Sequence, residues 1–231
     1  MTFGFGPEEI EAVRISLLVS TVGTAVALPF GILAAYALAR WRFPGRTLLD
    51  GLIHLPLVLP PVVTGYLLLV LLGRTGPLGG LLDRCCGIVF SFRWTGAAIA
   101  AAVMGFPLMV RAIRLSIEAV DRRLEQAAAT LGAGPLGTFF AVTLPLALPG
   151  ILAGTVLGYA KAFGEFGATI TFVGNIPGET ETLPLAIYSF LETPGGDASA
   201  LRLVVLAIGI SLLALFLSEL LNRRLVARLS G

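Results

Sequence analysis

From Ile15 to Ala39 the chain carries no charged side chain. A helix needs only about 20 predominantly apolar residues to cross the hydrocarbon core of a bilayer, so this run is long enough to span it. The composition agrees: 56% of the 231 residues are hydrophobic and 13% are charged. A soluble domain carries about 25% charged residues, so this chain lacks the polar surface to face water on all sides. The class is an all-α integral membrane protein. A cleaved signal peptide is the competing reading of an N-terminal apolar run. It is disfavoured because the run is too long and because Glu8, Glu9 and Glu11 occupy the place of a basic n-region.

The net charge of +2 says little, but its distribution says more. Basic residues gather in three clusters: Arg40, Arg42, Arg46; Arg111, Arg114, Arg122, Arg123; and Arg223, Arg224, Arg228. The acidic residues Glu179, Glu181, Glu192 and Asp197 share one loop instead. The positive-inside rule places the basic clusters in the cytoplasm. Nucleic-acid binding is excluded, because no soluble domain exists to carry it. Cys85 and Cys86 are adjacent and offer neither a disulfide framework nor metal spacing. They are expected to pack as small apolar residues. His54 has no second His and no Cys near in sequence, so it reads as a packed or hydrogen-bonded histidine and not as a metal ligand. No catalytic or metal-ligating residue is expected.

Five spans fit the pattern, at about Ile10–Leu38, Leu48–Leu72, Trp94–Ile113, Leu146–Phe163 and Leu201–Leu221. They form one transmembrane domain over residues 1–231, with the N-terminus outside and the C-terminus inside. The loop Gly73–Arg93 is expected to lie at the outer interface. Residues 164–200 are too polar to span and too apolar for a solvated loop. They read as a partly re-entrant segment with a short helix near Pro184–Leu191, since irregular backbone at membrane depth needs protein or water to satisfy it. The second span contains Pro56, Pro60 and Pro61. Each interior proline removes a backbone hydrogen bond, and the cluster reads either as an ordinary kink or as a broken helix lining a pathway.

The least apolar interior stretch is D-R-R-L-E-Q-A-A-A-T-L-G, beginning at Asp121. Leu124, Ala127, Ala128 and Leu131 recur at three-to-four spacing and predict one apolar helical stripe. Gly132 and Gly134 end the helix, and Pro135 suits the first turn of a second one. The loop 121–142 is thus either a helix-turn-helix presenting a docking surface or a plain connecting hairpin.

This segment resembles the cytoplasmic loop of binding-protein-dependent ABC importer permeases, whose pattern is E-A-A, three residues, G, nine residues, I-x-L-P. Here the pattern falls on Gln126-Ala127-Ala128, Gly132 and Val142-Thr143-Leu144-Pro145. Gln126 stands at the family's Glu position, with Glu125 one place earlier. The resemblance assigns ATPase coupling to Glu125, Gln126, Ala127, Ala128, Gly132, Ala133 and Gly134. It leaves open which carboxylate, if any, meets the partner. L-P-L-V-L-P-P-V-V-T-G-Y (Leu55–Tyr66), G-E-F-G-A-T-I (Gly164–Ile170), N-I-P-G-E-T (Asn175–Thr180) and T-P-G-G (Thr193–Gly196) resemble the molybdate branch, close to the sulfate and tungstate branches. The resemblance implies a type I importer permease fold in a bacterial inner membrane. It implies a second copy of the chain, two ATPase subunits and an external oxyanion-binding protein as partners. The chain has no G-x-x-x-x-G-K-[ST] loop, so no cofactor is expected in it; ATP and magnesium would be bound by the ATPase.

Candidate pathway or gate residues are Pro60, Pro61, Thr64, Lys161, Glu165, Thr169, Thr171 and Ser189. Lys161 and Glu165 are four apart on one helical face, as a structural pair or as a source of positive potential for a passing anion. The hydroxyls suit a tetrahedral anion that must be bound weakly enough to leave, or else bond their own helices. Gly154-x-x-x-Gly158 permits close packing at a dimer interface or within one subunit. An ion-coupled secondary transporter would show repeat halves and midplane carboxylates, and this chain shows neither.

Overall fold

The computed structural model describes residues 6–229; the side chains of 215, 217–219 and 221–229 lie outside the described residues, and with them the third basic cluster, Arg223, Arg224 and Arg228. The described residues form helices α1 (Pro7–Arg40), α2 (Arg46–Val58), α3 (Pro61–Leu72), α4 (Pro77–Cys86), α5 (Trp94–Ala119), α6 (Arg122–Thr130) and α7 (Pro135–Thr138). A π-helical segment (Phe139–Thr143) follows, then α8 (Leu144–Phe163), α9 (Gly167–Val173), α10 (Leu183–Glu192) and α11 (Asp197–Leu229). Four helices are long and apolar enough to cross a membrane, and α2 with α3 makes a fifth span if the bent pair is taken as one.

The centre of the bundle is α5, which packs along both α1 and α8. Its small residues make this possible. Ala97, Ala100 and Ala101 are fully buried in one core cluster with Met104, while Val110 and Ile113 belong to a second. At Gly105 a Cβ would stand 2.5 Å from the Gly158 carbonyl oxygen, so α5 and α8 meet backbone to backbone. Gly154 likewise faces Ile113 and Met109 of α5. The glycine pair of α8 therefore serves packing within the subunit.

The proline cluster breaks the second span outright. The axes of α2 and α3 differ by 116°. Leu59 (φ −71°, ψ 144°) and Pro60 (φ −53°, ψ 134°) are both extended, because each precedes a proline whose ring disfavours helical backbone before it. Pro61 then opens α3 at its first position, where its missing N–H is no loss. The interruption is a sharp break and not an ordinary kink.

Three expectations need correction. The segment Gly73–Arg93 contains α4, started by Pro77 and closed by Gly87 at φ +66°. Cys85 and Cys86, in its last turn, are exposed rather than packed, because α4 buries only Gly79. Residues 164–200 hold two helices, α9 as well as the expected α10; α9 begins at Gly167 and is closed by Gly174.

Both basic clusters whose side chains are described sit at one end of the bundle with α6. Arg40 pairs with Glu125, and Arg114 pairs with Asp50 at 3.1 Å. At the opposite end, Arg202 of α11 pairs with the buried Glu9 of α1 at 2.6 Å, so α1 and α11 start on the same side.

Candidate functional site

Residues 121–142 fold as a helix-turn-helix at the basic end of the bundle. The Asp121 carboxylate accepts the Arg123 backbone N–H at 2.9 Å, satisfying one of the donors that a helix start leaves free. At the other end, the Ala133 N–H bonds the Ala128 carbonyl and the Gly132 N–H bonds the Ala129 carbonyl, both at 3.0 Å. This pairing is the Schellman motif, which needs a left-handed residue at its bend. Gly132 supplies φ +89°. The glycine of the loop pattern is thus demanded by how α6 ends. Gly134 is extended before Pro135, the first residue of α7.

The predicted stripe does not pack inward. No residue of α6 is buried; Leu131 is 90% exposed and Leu136 is 75% exposed, with Leu124 and Phe140 also open. Apolar side chains left uncovered beside charged ones mark an interaction surface. Gln126, Ala127 and Gly132 are exposed, while Ala128 and Ala133 are half-buried. Gln126, Ala129, Ala133, Pro135 and Thr138 line a groove that reaches Tyr36 of α1. Glu125 and Arg40 line the same groove, and there the Glu125 carboxylate accepts Arg40 Nε at 3.1 Å and Thr143 Oγ1 at 2.7 Å. The carboxylate left open by the sequence is therefore committed to its own chain, and the exposed Gln126 faces outward in its place.

The second group of residues gathers where α3 meets α9. A Cβ at Gly65 would stand 2.5 Å from the Ala168 carbonyl oxygen, and one at Gly167 would stand 2.8 Å from Pro61 Cβ. This contact brings Pro61 and Gly65 of α3 against Gly167, Ala168 and Thr171 of α9. Glu165 joins them just before α9: its Oε1 accepts the Ala168 N–H at 3.0 Å and its Oε2 accepts Lys161 Nζ at 2.5 Å. Thr171 Oγ1 bonds its own helix at Gly167 O, 2.8 Å away. Thr64 and Thr169 are buried, and the Thr64 hydroxyl has no partner among the described residues.

Ser189 stands apart from this group. Its hydroxyl accepts Asn175 Nδ2 at 2.5 Å, next to the buried Glu181. Burial pushes the Glu181 carboxyl above the usual range; hydrogen bonds from Ser189 and Asn175 pull it back, and the like charge of Glu8 adds to the rise. His54 Nδ1 lies 2.8 Å from the Asp50 carbonyl, one turn back on its helix. Sequence reasoning missed Arg40, Thr143, Asn175 and Glu181 as site residues. Thr143 stood in view as the variable position before Leu144-Pro145, whereas Arg40 and Glu125 are 85 positions apart and no spacing rule links them.

A sequence model of the family "Binding-protein-dependent transport system inner membrane component" matches residues 27–227. The chain is 58% identical over 215 residues to the molybdenum transport system permease protein ModB of Escherichia coli K12, covering 93% of this chain and 94% of that one. It is 55% identical over 221 residues to ModB of Haemophilus influenzae, with 96% of each covered. A more distant relative is the sulfate transport system permease protein CysT of Salmonella typhimurium, 39% identical over 226 residues, covering 97% of this chain and 80% of the relative. Among solved structures, a bacterial ABC transporter involved in the import of the acidic polysaccharide alginate matches with a TM-score of 0.75 at 17% identity, over 95% of this chain and 80% of that one. At that identity the likeness shows the fold alone.

Proposed function

The chain belongs to the family of binding-protein-dependent transport system inner membrane components, and from that premise we propose that it is the permease subunit of an ABC importer that carries molybdate into the cell. The observation that carries the substrate is the 58% identity, over 93% of the chain, to a molybdenum transport permease. The sulfate permease relative is 39% identical over a similar span, which makes sulfate the second choice; tungstate shares the same tetrahedral chemistry.

In this reading the protein is a multi-pass inner-membrane transport subunit that works with an ATPase and an extracytoplasmic binding protein. Two permease copies pair, and two ATPase chains bind ATP and magnesium on their own residues. The N-terminus lies outside, and the exposed face of residues 121–142, with Gln126, Ala127, Leu131 and Leu136, docks on the ATPase from the cytoplasm. ATP-driven closure of the ATPases draws the two loops together and opens the pathway outward; hydrolysis returns it to the inward-facing state. The anion passes the broken helix at Pro60–Pro61 and the α3–α9 contact, where Thr64 and Thr169 offer neutral hydroxyls. Lys161 supplies positive potential there only so far as Glu165 leaves its charge unbalanced. Neutral donors bind weakly and permit release, so selection falls to the external binding protein.

The test is uptake of radiolabelled molybdate into vesicles holding the whole complex, with sulfate and tungstate as competitors. ATP-dependent uptake resistant to excess sulfate is expected. Uptake of sulfate in preference to molybdate would overturn the substrate. Failure of an ABC ATPase to co-purify with the chain would overturn the transporter class.

A further inference from the structure

The coupling helix α6 has almost nothing apolar to hold it. It buries none of its residues and leaves Leu124 and Leu131 uncovered. What fixes it to the bundle is polar, and it converges on one side chain. Arg40 is the last residue of α1. Its Nη2 donates to the carbonyls of Ile117 and Val120, each at 2.9 Å. These lie at the C-terminal end of α5, where carbonyls lack helical partners and a cation is favoured. Its Nε donates to Glu125 Oε1 on the first turn of α6 at 3.1 Å. The same carboxylate oxygen accepts Thr143 Oγ1 at 2.7 Å, and Thr143 is fully buried at the foot of α8.

We infer that Arg40 is a positioning residue for energy coupling: through Glu125 it clamps α6 to the ends of α1, α5 and α8, so that these helices move when the docked ATPase moves α6. This rests on the permease reading above. The pair is not an ordinary surface salt bridge. The Arg40 and Glu125 side chains are only 9% and 17% exposed, and the fork of a guanidinium is needed to reach α5 carbonyls and a carboxylate together. Lysine, a point charge on a flexible stem, cannot hold all three acceptors.

The register of the chain points the same way. Between α7 and α8 the backbone widens to a π-helical segment, with the Leu144 N–H bonded to the Phe139 carbonyl. One-turn π segments are rare and occur frequently at functional sites. Here the widened turn ends at Thr143 and so presents its hydroxyl to Glu125. Without the clamp, α6 would be joined to the spans only by its flanking turns, and motion of the ATPase would be taken up by those turns.

Two measurements on the full-length chain test this. Hydrogen exchange across Leu124–Thr130 in nanodiscs depends on the clamp alone. Arg40→Gln and Glu125→Gln should each speed it by roughly tenfold, the factor lost with one charge-assisted hydrogen bond, and the double variant should be no faster than the worse single. Molybdate taken up per ATP hydrolysed is then measured in complexes purified through a tag on the ATPase, so that only assembled transporter is assayed. It should fall several-fold in both variants, with Arg40→Lys intermediate. Unchanged exchange would overturn the clamp. Faster exchange with unchanged uptake per ATP would overturn its role in coupling and leave it structural. A wild-type complex that hydrolyses ATP without moving molybdate would count against the substrate reading instead; stimulation of ATP hydrolysis by the loaded binding protein then replaces uptake as the readout, and its loss in the variants is the result expected.

Discussion

Glu165 is 2% exposed, and two donors hold it: the Lys161 ammonium on one oxygen and the Ala168 N–H on the other. The Lys161 side chain is 30% exposed and that of Glu165 is 1% exposed, so the two partners are not equivalent. Lys161→Met would strand a carboxylate in a dry site, whereas Glu165→Gln would leave an ammonium that can turn outward. Breaking a fully buried pair by removing one partner costs about 3–5 kcal/mol. Partial exposure lowers the expectation to about 2 kcal/mol for Lys161→Met and about 1 kcal/mol for Glu165→Gln. Thermal unfolding in nanodiscs would show the order, and equal or reversed losses would refute it. Glu181 gives a prediction with a pH sign. Its folded value is raised above the ordinary 4.5 by burial, so between 4.5 and that raised value the folded chain holds more proton than the unfolded one. Stability falls as pH rises across that window, and the loss persists above it. Glu181→Gln should flatten this part of the stability profile; an unchanged slope would place the titration elsewhere. The Lys161–Glu165 pair was legible from its spacing, but it does not lie on one helical face as expected: α8 ends at Phe163 and Glu165 reaches back to Lys161 from beyond it. The Glu181 cluster was not legible, since Asn175 and Ser189 meet it only after α9 and α10 fold around the turn between them.

At the scale of elements, α6 was the most readable piece of the chain. The alanine run and Gly132 as its stop are local signals, and both hold in the fold. The stripe was readable but its direction was not: periodicity says that Leu124 and Leu131 share a face, never whether that face is covered. The broken span divides in the same way. Three prolines announced an interruption, but the 116° turn arises because Leu59 and Pro60 are extended in succession. The helix α9 was missed because its seven residues, Gly167–Val173, carry too short a period to detect. Gly132 gives the prediction for this scale. Its φ of +89° is strained for any residue with a Cβ, yet no atom lies within 4 Å of where that Cβ would stand. Gly132→Ala should therefore loosen the end of α6 by about 1 kcal/mol without a clash, and Gly132→Asn by less. Gly132→Trp should add a steric block on the docking face and abolish co-purification of the ATPase while the spans stay folded. Retained co-purification and uptake in the tryptophan variant would remove this turn from the docking surface.

For the whole molecule, composition and charge were enough to give the membrane class and the division into spans, because bilayer thickness and loop charge act on every segment alike. The arrangement of spans was not given, since lipid and helix present nearly the same apolar environment to a leucine. Packing is decided instead by where backbones can approach. In this fold the decisive approach is α5 on α8. A Cβ at Gly105 would come within 2.5 Å of the Gly158 carbonyl oxygen and 3.3 Å of its Cα, and neither is the far end of a flexible side chain. The helix α6 follows the end of α5, and α8 carries Lys161, so this seam lies between the two candidate sites. Gly105→Leu should force α5 and α8 apart, costing about 1–3 kcal/mol as overpacking does and lowering the unfolding midpoint by several degrees. The control is Gly51→Leu on α2, where a Cβ meets nothing within 4 Å; there the midpoint should hardly move. A seam that merely stabilises would lose uptake only in step with folded protein. A seam that also transmits motion should lose more uptake per ATP than folded protein in Gly105→Ala, where a single methyl separates the helices least. Equal losses in the two measures would confine α5–α8 packing to stability.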